Sequence, residues 1–171
     1  MNLAVASNAA QENQNAADAA ALAGAEAFET AGLSYFAPGF STADGLRGKV
    51  DVTGACPALV RAAAASFASR NGATLASCRM LEWGEVEVST RMDVPVEDAQ
   101  DGMAKARASW SMDWTSCYVD PAFVAPATGS AFTWMQCGDE RFDLQHAAGR
   151  FFLHPWGQVK QAIENEVRLV D

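Results

Sequence analysis

The apolar positions at the start of the chain follow the pattern of a helix built from small residues. Residues 11–28 read QENQNAADAAALAGAEAF, in which Leu22 and Phe28 are the only large apolar side chains. Alanine favours the helical state, so this stretch predicts a helix from about Ala9 to Thr30. Gly32 predicts the end of that helix, because glycine commonly closes helices.

This first helix is interpreted as a packing element rather than as a catalytic platform. The distance between two packed helices depends on the side chains at their contact, and small residues leave little bulk between the axes. We therefore expect a close approach to a neighbouring element. The residues expected at these contacts are Asp18, Leu22, Gly24 and Phe28.

A second helix is predicted after a loop rich in glycine. Leu33–Thr53 contains Pro38 and several glycines, which predicts an irregular connection. Cys56-Pro57 then opens a helix, since the missing N–H of proline costs nothing in a first turn. Asn71-Gly72 ends this helix, because both residues tolerate left-handed backbone geometry.

Alternating polar and apolar positions predict three antiparallel strands. Ala73–Leu81 and Glu85–Val94 flank a tight turn at Trp83-Gly84 and predict a hairpin. Met103–Met112 is rich in alanine, which favours a helix by propensity. Its residues nevertheless alternate strictly between apolar and polar, which argues for a third strand, with Val94–Gly102 as the linking loop.

The four cysteines are Cys56, Cys78, Cys117 and Cys137. They form no CxxC motif and have no histidine pair at zinc spacing, so no metal site is expected. Their even number suits two disulfides in an oxidising compartment. Of the three pairings, Cys56–Cys78 with Cys117–Cys137 is favoured because each pair flanks a compact unit. Buried, reduced cysteines are the alternative.

The last third of the chain has weak periodicity. Asp113–Pro155 is rich in Trp, Phe, Gly and Pro, and Pro155 opens a predicted final helix that ends near Leu169. The predicted fold class is α+β: a long Ala-rich N-terminal helix, a second helix on a three- or four-stranded antiparallel sheet, and a disulfide-stapled C-terminal region with a terminal helix. The predicted divisions are 1–31, the N-terminal helix; 32–112, the α+β core; and 113–171, an aromatic extension packed on the core.

Charge narrows the classes of partner. The chain has 171 residues, 12 basic and 21 acidic side chains, and a net charge of −9. Nucleic-acid binding needs a basic face and anionic lipid attracts basic clusters, so neither partner is expected. A membrane span needs about 18 consecutive apolar residues, and the sequence contains no such window.

No catalytic motif stands out. The two histidines, His146 and His154, lie outside any HExxH motif, and GxSxG, P-loop and GxGxxG motifs are absent from the sequence. Asp139, Glu140 and Asp143 lack the spacing of an EF-hand. We therefore expect no enzymatic activity, cofactor or metal. Weak candidates for catalytic pairs are Cys137 with His146, Glu82 with Glu85, and Glu85 with Glu87.

Several motifs occur in an order that resembles TadE/TadG-like proteins of the tight-adherence (Tad) pilus. They are QNAADAAALAGA, then CPALVRAAAASFASRNGA with TLASC, then EVEVSTRMDVP, and finally MAKARASW. The resemblance covers residues 11–112, and the order of helices, strands and cysteines looks like that of actinobacterial members.

The resemblance implies an extracytoplasmic domain of a cell-envelope or secreted protein. The membrane helix of the family would lie just upstream of Met1. The implied function is that of a minor pilin or pseudopilin in assembling Flp/Tad (type IVc) pili, with other pilins or Tad assembly proteins as partners through the N-terminal pilin-like helix. Cys56 and Cys78 map onto the paired cysteines of the family, and residues 113–171 would form an outward-facing module.

Two other functions stay open. A secreted adhesin-like module would use exposed aromatic rings as a contact patch, although core packing is the competing interpretation of the same rings. An uncharacterised extracytoplasmic enzyme would need a polar pocket that holds His146 or His154 beside a carboxylate. The rings in question are Trp114, Phe123, Phe132, Trp134 and Trp156.

Overall fold

The computed structural model describes residues 3–36, 38–92, 103–110, 114–154 and 167–170. Its α-helices are α1 (Leu3–Phe36), α2 (Ala43–Val50) and α3 (Ala58–Arg70). Its strands are β1 (Gly54–Ala55), β2 (Ala73–Met80), β3 (Val86–Met92), β4 (Met103–Trp110), β5 (Tyr118–Val119), β6 (Ser130–Cys137), β7 (Glu140–Ala147), β8 (Arg150–Leu153) and β9 (Val167–Val170). The mixed α+β class predicted from the sequence is confirmed.

The strands form two antiparallel sheets. The first has five strands in the order β1-β2-β3-β4-β9, and the second has four in the order β5-β6-β7-β8. Helices α1 and α3 lie against the first sheet, α1 over β3 and β4 and α3 over β2. We call α1 and α3 together the helical layer.

The first helix is longer than the sequence pattern predicts. It continues through Gly32, so the predicted stop there is wrong, and it ends at Phe36. A single glycine inside a helix costs only about 1 kcal/mol relative to alanine, which a long helix tolerates. Pro38 follows two residues after the helix end, and proline cannot continue a helix.

The predicted loop over Leu33–Thr53 is also wrong, because it contains α2. The Thr42 hydroxyl accepts a hydrogen bond from the Gly45 N–H at 3.0 Å and caps this helix. Arg47 and Asp44 form an ion pair at 2.7 Å one turn apart. Leu46 is fully buried and packs α2 against the core. A single buried residue produces no hydrophobic periodicity, so the sequence pattern does not predict this helix.

Helix α3 and the hairpin after it are confirmed. Pro57 directly precedes α3, Asn71 caps its C-terminus, and Gly72 has φ +71°. β2 and β3 pair antiparallel from Ala73↔Met92 to Met80↔Val86. The third predicted strand, β4, completes the meander, with Ala104, Ala106 and Ala108 buried.

The predicted final helix is wrong at its C-terminal end. Val167–Val170 is the strand β9, which pairs with β4 from Arg107↔Val170 to Trp110↔Val167. β-branched valines favour strands over helices. The remainder of that predicted helix, and the predicted loop over residues 94–102, lie outside the described residues.

The second sheet occupies the region in which the sequence shows weak periodicity. Two-residue turns at Gly138-Asp139 and Ala148-Gly149 join its long strands, and φ is positive at Gly138, Ala148 and Gly149. A positive φ at one or both turn residues suits tight hairpins. The chain at Phe40 adds an isolated bridge to Phe151 at the edge of β8.

Both predicted disulfides are present, Cys56–Cys78 and Cys117–Cys137. The first links the segment before α3 to β2, and the second links the segment before β5 to the end of β6. One continuous cluster of buried side chains joins the two sheets, from Phe28 of α1 through Phe40 and Leu46 to Leu144 of β7. The three-part division of the chain stays a prediction.

Candidate functional site

Gly24 marks the closest approach between the helical layer and the first sheet. A Cβ built at Gly24 would lie 3.1 Å from Val86 Cγ1, 3.6 Å from Val60 Cγ1 and 3.7 Å from Ala64 Cβ. The glycine therefore lets α1 contact α3 and β3 at the same level. This is the use that small residues have in a packing helix.

The four predicted packing residues differ in their surroundings. Phe28 and Gly24 are buried, and Leu22 is half-buried. Asp18 lies at the margin of α1, where it accepts a hydrogen bond from Gln14 Nε2 at 2.8 Å. The same Gln14 nitrogen donates to the Lys105 carbonyl at 3.0 Å, so this end of α1 is tied to the edge of β4.

Sequence reasoning missed a buried polar contact beneath α1. Thr90 Oγ1 of β3 donates to Asn13 Oδ1 at 2.9 Å, and both residues are almost fully buried. Buried polar groups in folded proteins are normally hydrogen-bonded. Thr90 occupies an inward position of β3, where the alternation otherwise places apolar residues. This polar residue was the signal in the sequence that could have pointed to a buried partner.

The outer side of the second sheet carries exposed rings. Tyr118, Phe132 and Trp134 lie on one side of the sheet, and we call them the aromatic face; Phe132 is 65% exposed and Tyr118 47%. Tyr118 meets Trp134 edge-on with ring centroids 5.7 Å apart. The Arg141 guanidinium lies over the Trp134 ring at 4.8 Å, and His154 lies 5.5 Å from Phe132.

The other predicted patch residues do not join the aromatic face. Phe123 packs on the inner side of the sheet, with its ring 5.6 Å from that of Phe151. The Trp114 side chain and Trp156 fall outside what the structure describes. Of the five predicted rings, Phe132 and Trp134 are therefore brought together on one surface, and Tyr118, which the sequence did not single out, joins them.

The candidate catalytic pair Cys137 and His146 is separated. Cys137 is bonded to Cys117, and along the β6–β7 ladder it lies opposite Glu140, whereas His146 lies opposite Ala131. Six positions separate these two levels, about 20 Å of strand. His146 is buried between Phe123 and Phe151, and its Nδ1 has no hydrogen-bond partner.

Of the predicted carboxylate pairs, Glu85 and Glu87 belong to an ion-pair cluster on the polar side of the first sheet, whereas Glu82 lies at an exposed position between β2 and β3, outside this cluster. Arg107 contacts Glu87 at 2.9 Å and Glu85 at 3.6 Å. Beside them, a cleft of about 500 Å³ opens between α1 and the strands β4 and β9, lined by Asp18, Lys105 and Leu169 among others. Within the described ranges, no three His, Cys, Asp or Glu side chains are grouped so that they could hold a metal ion, and this applies to Asp139, Glu140 and Asp143.

Comparison of the chain with protein-family models, with curated proteins and with solved structures finds no match. Among the helices that the structure describes, none is long and apolar enough to cross a membrane. The two disulfides are typical of proteins from oxidising compartments and are consistent with an extracellular protein. The surfaces that remain as candidates for function are the helical layer and the aromatic face.

Proposed function

We propose that the protein is a structural component of the cell envelope, a minor pilin or pseudopilin of a tight-adherence pilus, with α1 as its assembly element. The resemblance of residues 11–112 to TadE/TadG-like proteins motivates this proposal. The disulfides agree with the extracytoplasmic location that a pilus component requires.

The length of α1 relative to its sheet is the observation that carries the proposal. With 34 residues, α1 is about 51 Å long at 1.5 Å per residue. Strands of eight residues, the longest in the first sheet, span only about 27 Å. Half of the helix is therefore not needed to cover the sheet.

Among the positions of α1 whose side chains are described, 8–31, those at the N-terminal end are mostly exposed. Among residues 8–31, the buried positions begin at Asn13 and end at Glu29. Asn8, Ala10, Gln11 and Glu12 are exposed, although they belong to the same continuous helix. This exposed part of a long, alanine-rich helix offers a surface for packing against other helices.

The test is recovery of the protein with sheared filaments. A C-terminally tagged chain is expressed in the source cells, and sheared pili are collected from wild-type cells and from cells that lack the major pilin. The proposal expects the tagged protein in the filament fraction of wild-type cells and its loss from that fraction without the major pilin. Equal release into the medium of both strains would contradict the proposal.

A matched pair of variants connects this test to α1. Ala10→Arg places a bulky charge on the exposed N-terminal part of the helix, whereas Ala127→Arg makes the same change at an exposed position before β6. We expect Ala10→Arg to lower recovery with filaments at least tenfold and Ala127→Arg to leave it unchanged. Equal recovery of the two variants would contradict the role of α1.

The aromatic face favours a second candidate function, that of an adhesin-like binding module. Exposed apolar surface of this kind is associated with interaction sites, and aromatic residues and Arg are enriched at interfaces. A screen of the folded chain against immobilised glycans and proteins tests it. Binding that Trp134→Ala abolishes and that Val124→Ala, at an 85% exposed position outside the face, leaves intact would support it; binding by neither the parent nor the variants would contradict it.

A further inference from the structure

Charges of opposite sign are segregated between the two helices of the helical layer. Residues 1–46 contain five acidic side chains and no basic one, namely Glu12, Asp18, Glu26, Glu29 and Asp44. Residues 52–81 contain three arginines and no acidic side chain, namely Arg61, Arg70 and Arg79. In a chain with a net charge of −9, α3 is thus a basic element beside an acidic one.

The exposed sides of both helices carry four of these charges, Glu12 and Glu26 on α1 and Arg61 and Arg70 on α3, on a background of small residues. On α1, the exposed positions Glu12, Asn15 and Glu26 and the half-buried positions Ala19 and Leu22 follow helical spacing. On α3, the corresponding positions are Leu59, Ala62, Ser66 and Arg70, with Arg61 beside them. Leu59 is 66% exposed, the largest apolar surface on this layer among the described positions.

These four charged side chains, Glu12, Glu26, Arg61 and Arg70, have no ion-pair partner within the described part of the chain. The ion pairs there join Arg47 to Asp44 and Arg107 to Glu85 and Glu87. Arg70 is held by its contact with the Phe67 ring at 4.1 Å and by a hydrogen bond to Ser66. Glu12, Glu26 and Arg61 are therefore available to charges outside this molecule, and Arg70 would add such a contact to the two that it makes within the chain.

The two helices run antiparallel. Asn13 of α1 bonds Thr90, near the end of β3, whereas Gly24 lies against Val86 at its start, so α1 is antiparallel to β3. A short turn joins α3 to β2, and β2 is antiparallel to β3. Helix α3 consequently runs parallel to β3 and antiparallel to α1.

This arrangement makes the layer complementary to itself. A two-fold axis parallel to the helices, placed above the layer, would set α1 of a second copy over α3 of the first at the same level, and the reverse. Within one copy, Gly24 lies beside α3 between Val60 and Ala64. Because the two helices run antiparallel, Glu26 of one copy would lie at about the same height along the helix axis as Arg61 of the other. Glu12 would lie about 6 Å beyond the level of Arg70 at 1.5 Å per residue, within the combined reach of the two side chains.

We propose that a second copy of this chain packs face to face on the helical layer, with Glu26 and Glu12 of each copy opposite Arg61 and Arg70 of the other. The inference deepens the proposed function, because it rests on the helical layer being an assembly face and names the partner. Such a contact is isologous, with the same surface used on both copies. Leu22 and Leu59 meet small residues of the partner, and the charge pairs fix the register.

Charge reversal tests this contact directly. Sedimentation equilibrium of the full chain is measured for the parent, for Glu26→Arg, for Arg61→Glu and for the chain that carries both changes. We expect a concentration-dependent dimer for the parent and at least tenfold weaker dimerisation for each single reversal, since like charges then face each other. The doubly changed chain keeps the net charge and restores the opposite signs, so it should dimerise within about threefold of the parent.

Two controls carry the same charge changes away from the layer. Glu140→Arg lies in the second sheet and Arg91→Glu at an exposed position of β3; both should dimerise like the parent. A parent that is monomeric at all concentrations, or a dimer that the single reversals leave unchanged, overturns the inference. Neither result decides whether the protein is part of a pilus, which the filament fractions test. A negative filament result, in turn, does not decide whether the chain forms this dimer.

Discussion

Thr90 of β3 and Asn13 of α1 are joined by a hydrogen bond of 2.9 Å between side chains that are 0% and 4% exposed. The bond lies near one end of the sheet, whereas Gly24 fixes the other end of the contact by its approach to Val86. Together, a polar tie and a steric fit set how α1 lies across the sheet. Ala10, Gln11 and Glu12, which directly precede Asn13, are exposed, so this bond lies where the described burial of α1 begins.

Removing one partner of this bond should destabilise the fold. In Asn13→Ala the buried Thr90 hydroxyl loses its side-chain acceptor and keeps only the Asn13 backbone carbonyl at 3.4 Å, which costs about 0.5–1.5 kcal/mol. Asn13→Leu combined with Thr90→Val removes both polar groups and should recover most of that loss. Urea unfolding gives the free energies; a single variant as stable as the parent would show that the bond does not tie α1 to the sheet.

A larger residue at position 24 should be poorly tolerated. Gly24→Val places methyl groups where Val86 and Val60 already lie, and overpacking of this kind costs about 1–3 kcal/mol. Gly48 in α2 is the matched control, because a Cβ there meets nothing within 4 Å. Gly48→Val should change the unfolding free energy by less than about 0.5 kcal/mol; equal effects of the two changes would contradict the close approach.

The two disulfides should stabilise the protein to a similar extent. They close loops of similar length, with sequence separations of 22 and 20. The chain-entropy model gives about 3 kcal/mol for each. Unfolding of the Cys56→Ala/Cys78→Ala and Cys117→Ala/Cys137→Ala chains, measured without reductant, checks this value; a loss below about 1 kcal/mol in either chain would be at odds with it.

Strictly alternating segments could be predicted from the sequence because one side of each strand is polar. In β3 the buried Val86, Val88 and Thr90 alternate with polar neighbours, and in β4 alanines take the buried positions. In β6 the alternation is hidden, because Phe132 and Trp134 are apolar on the outer side while Thr133 is polar on the inner side. A period of two then cannot be read from hydrophobicity alone.

Prediction of the candidate sites is also limited, because a local sequence pattern does not show which elements become neighbours in the fold. The small residues of α1 identified a packing helix, and the positions of Gly24 and Phe28 agree with that interpretation. The relationship of α1 to α3 depends on the order of the strands between them, which no local pattern contains. Tyr118 reaches the aromatic face only because β5 pairs with β6 opposite Gln136.

Two phenylalanines of the second sheet should respond differently to truncation. Phe132 is 65% exposed and Phe142 is 5% exposed. Phe142→Ala should cost about 3–5 kcal/mol through loss of core packing, whereas Phe132→Ala should stay within about 0.5 kcal/mol of the parent. Thermal unfolding compares them; a large loss at Phe132 would mean that the aromatic face is covered in solution.

The central claim, that this is an extracytoplasmic pilus component built on α1, is tested most directly by mass spectrometry of the native protein. The protein is recovered from the envelope and filament fractions of its source cells and analysed with and without reduction, which identifies its N-terminus and its cysteine pairing together. We expect an apolar segment ahead of α1 and bonded Cys56–Cys78 and Cys117–Cys137 pairs. A cytosolic product that begins at Met1 and carries four free thiols would contradict the account.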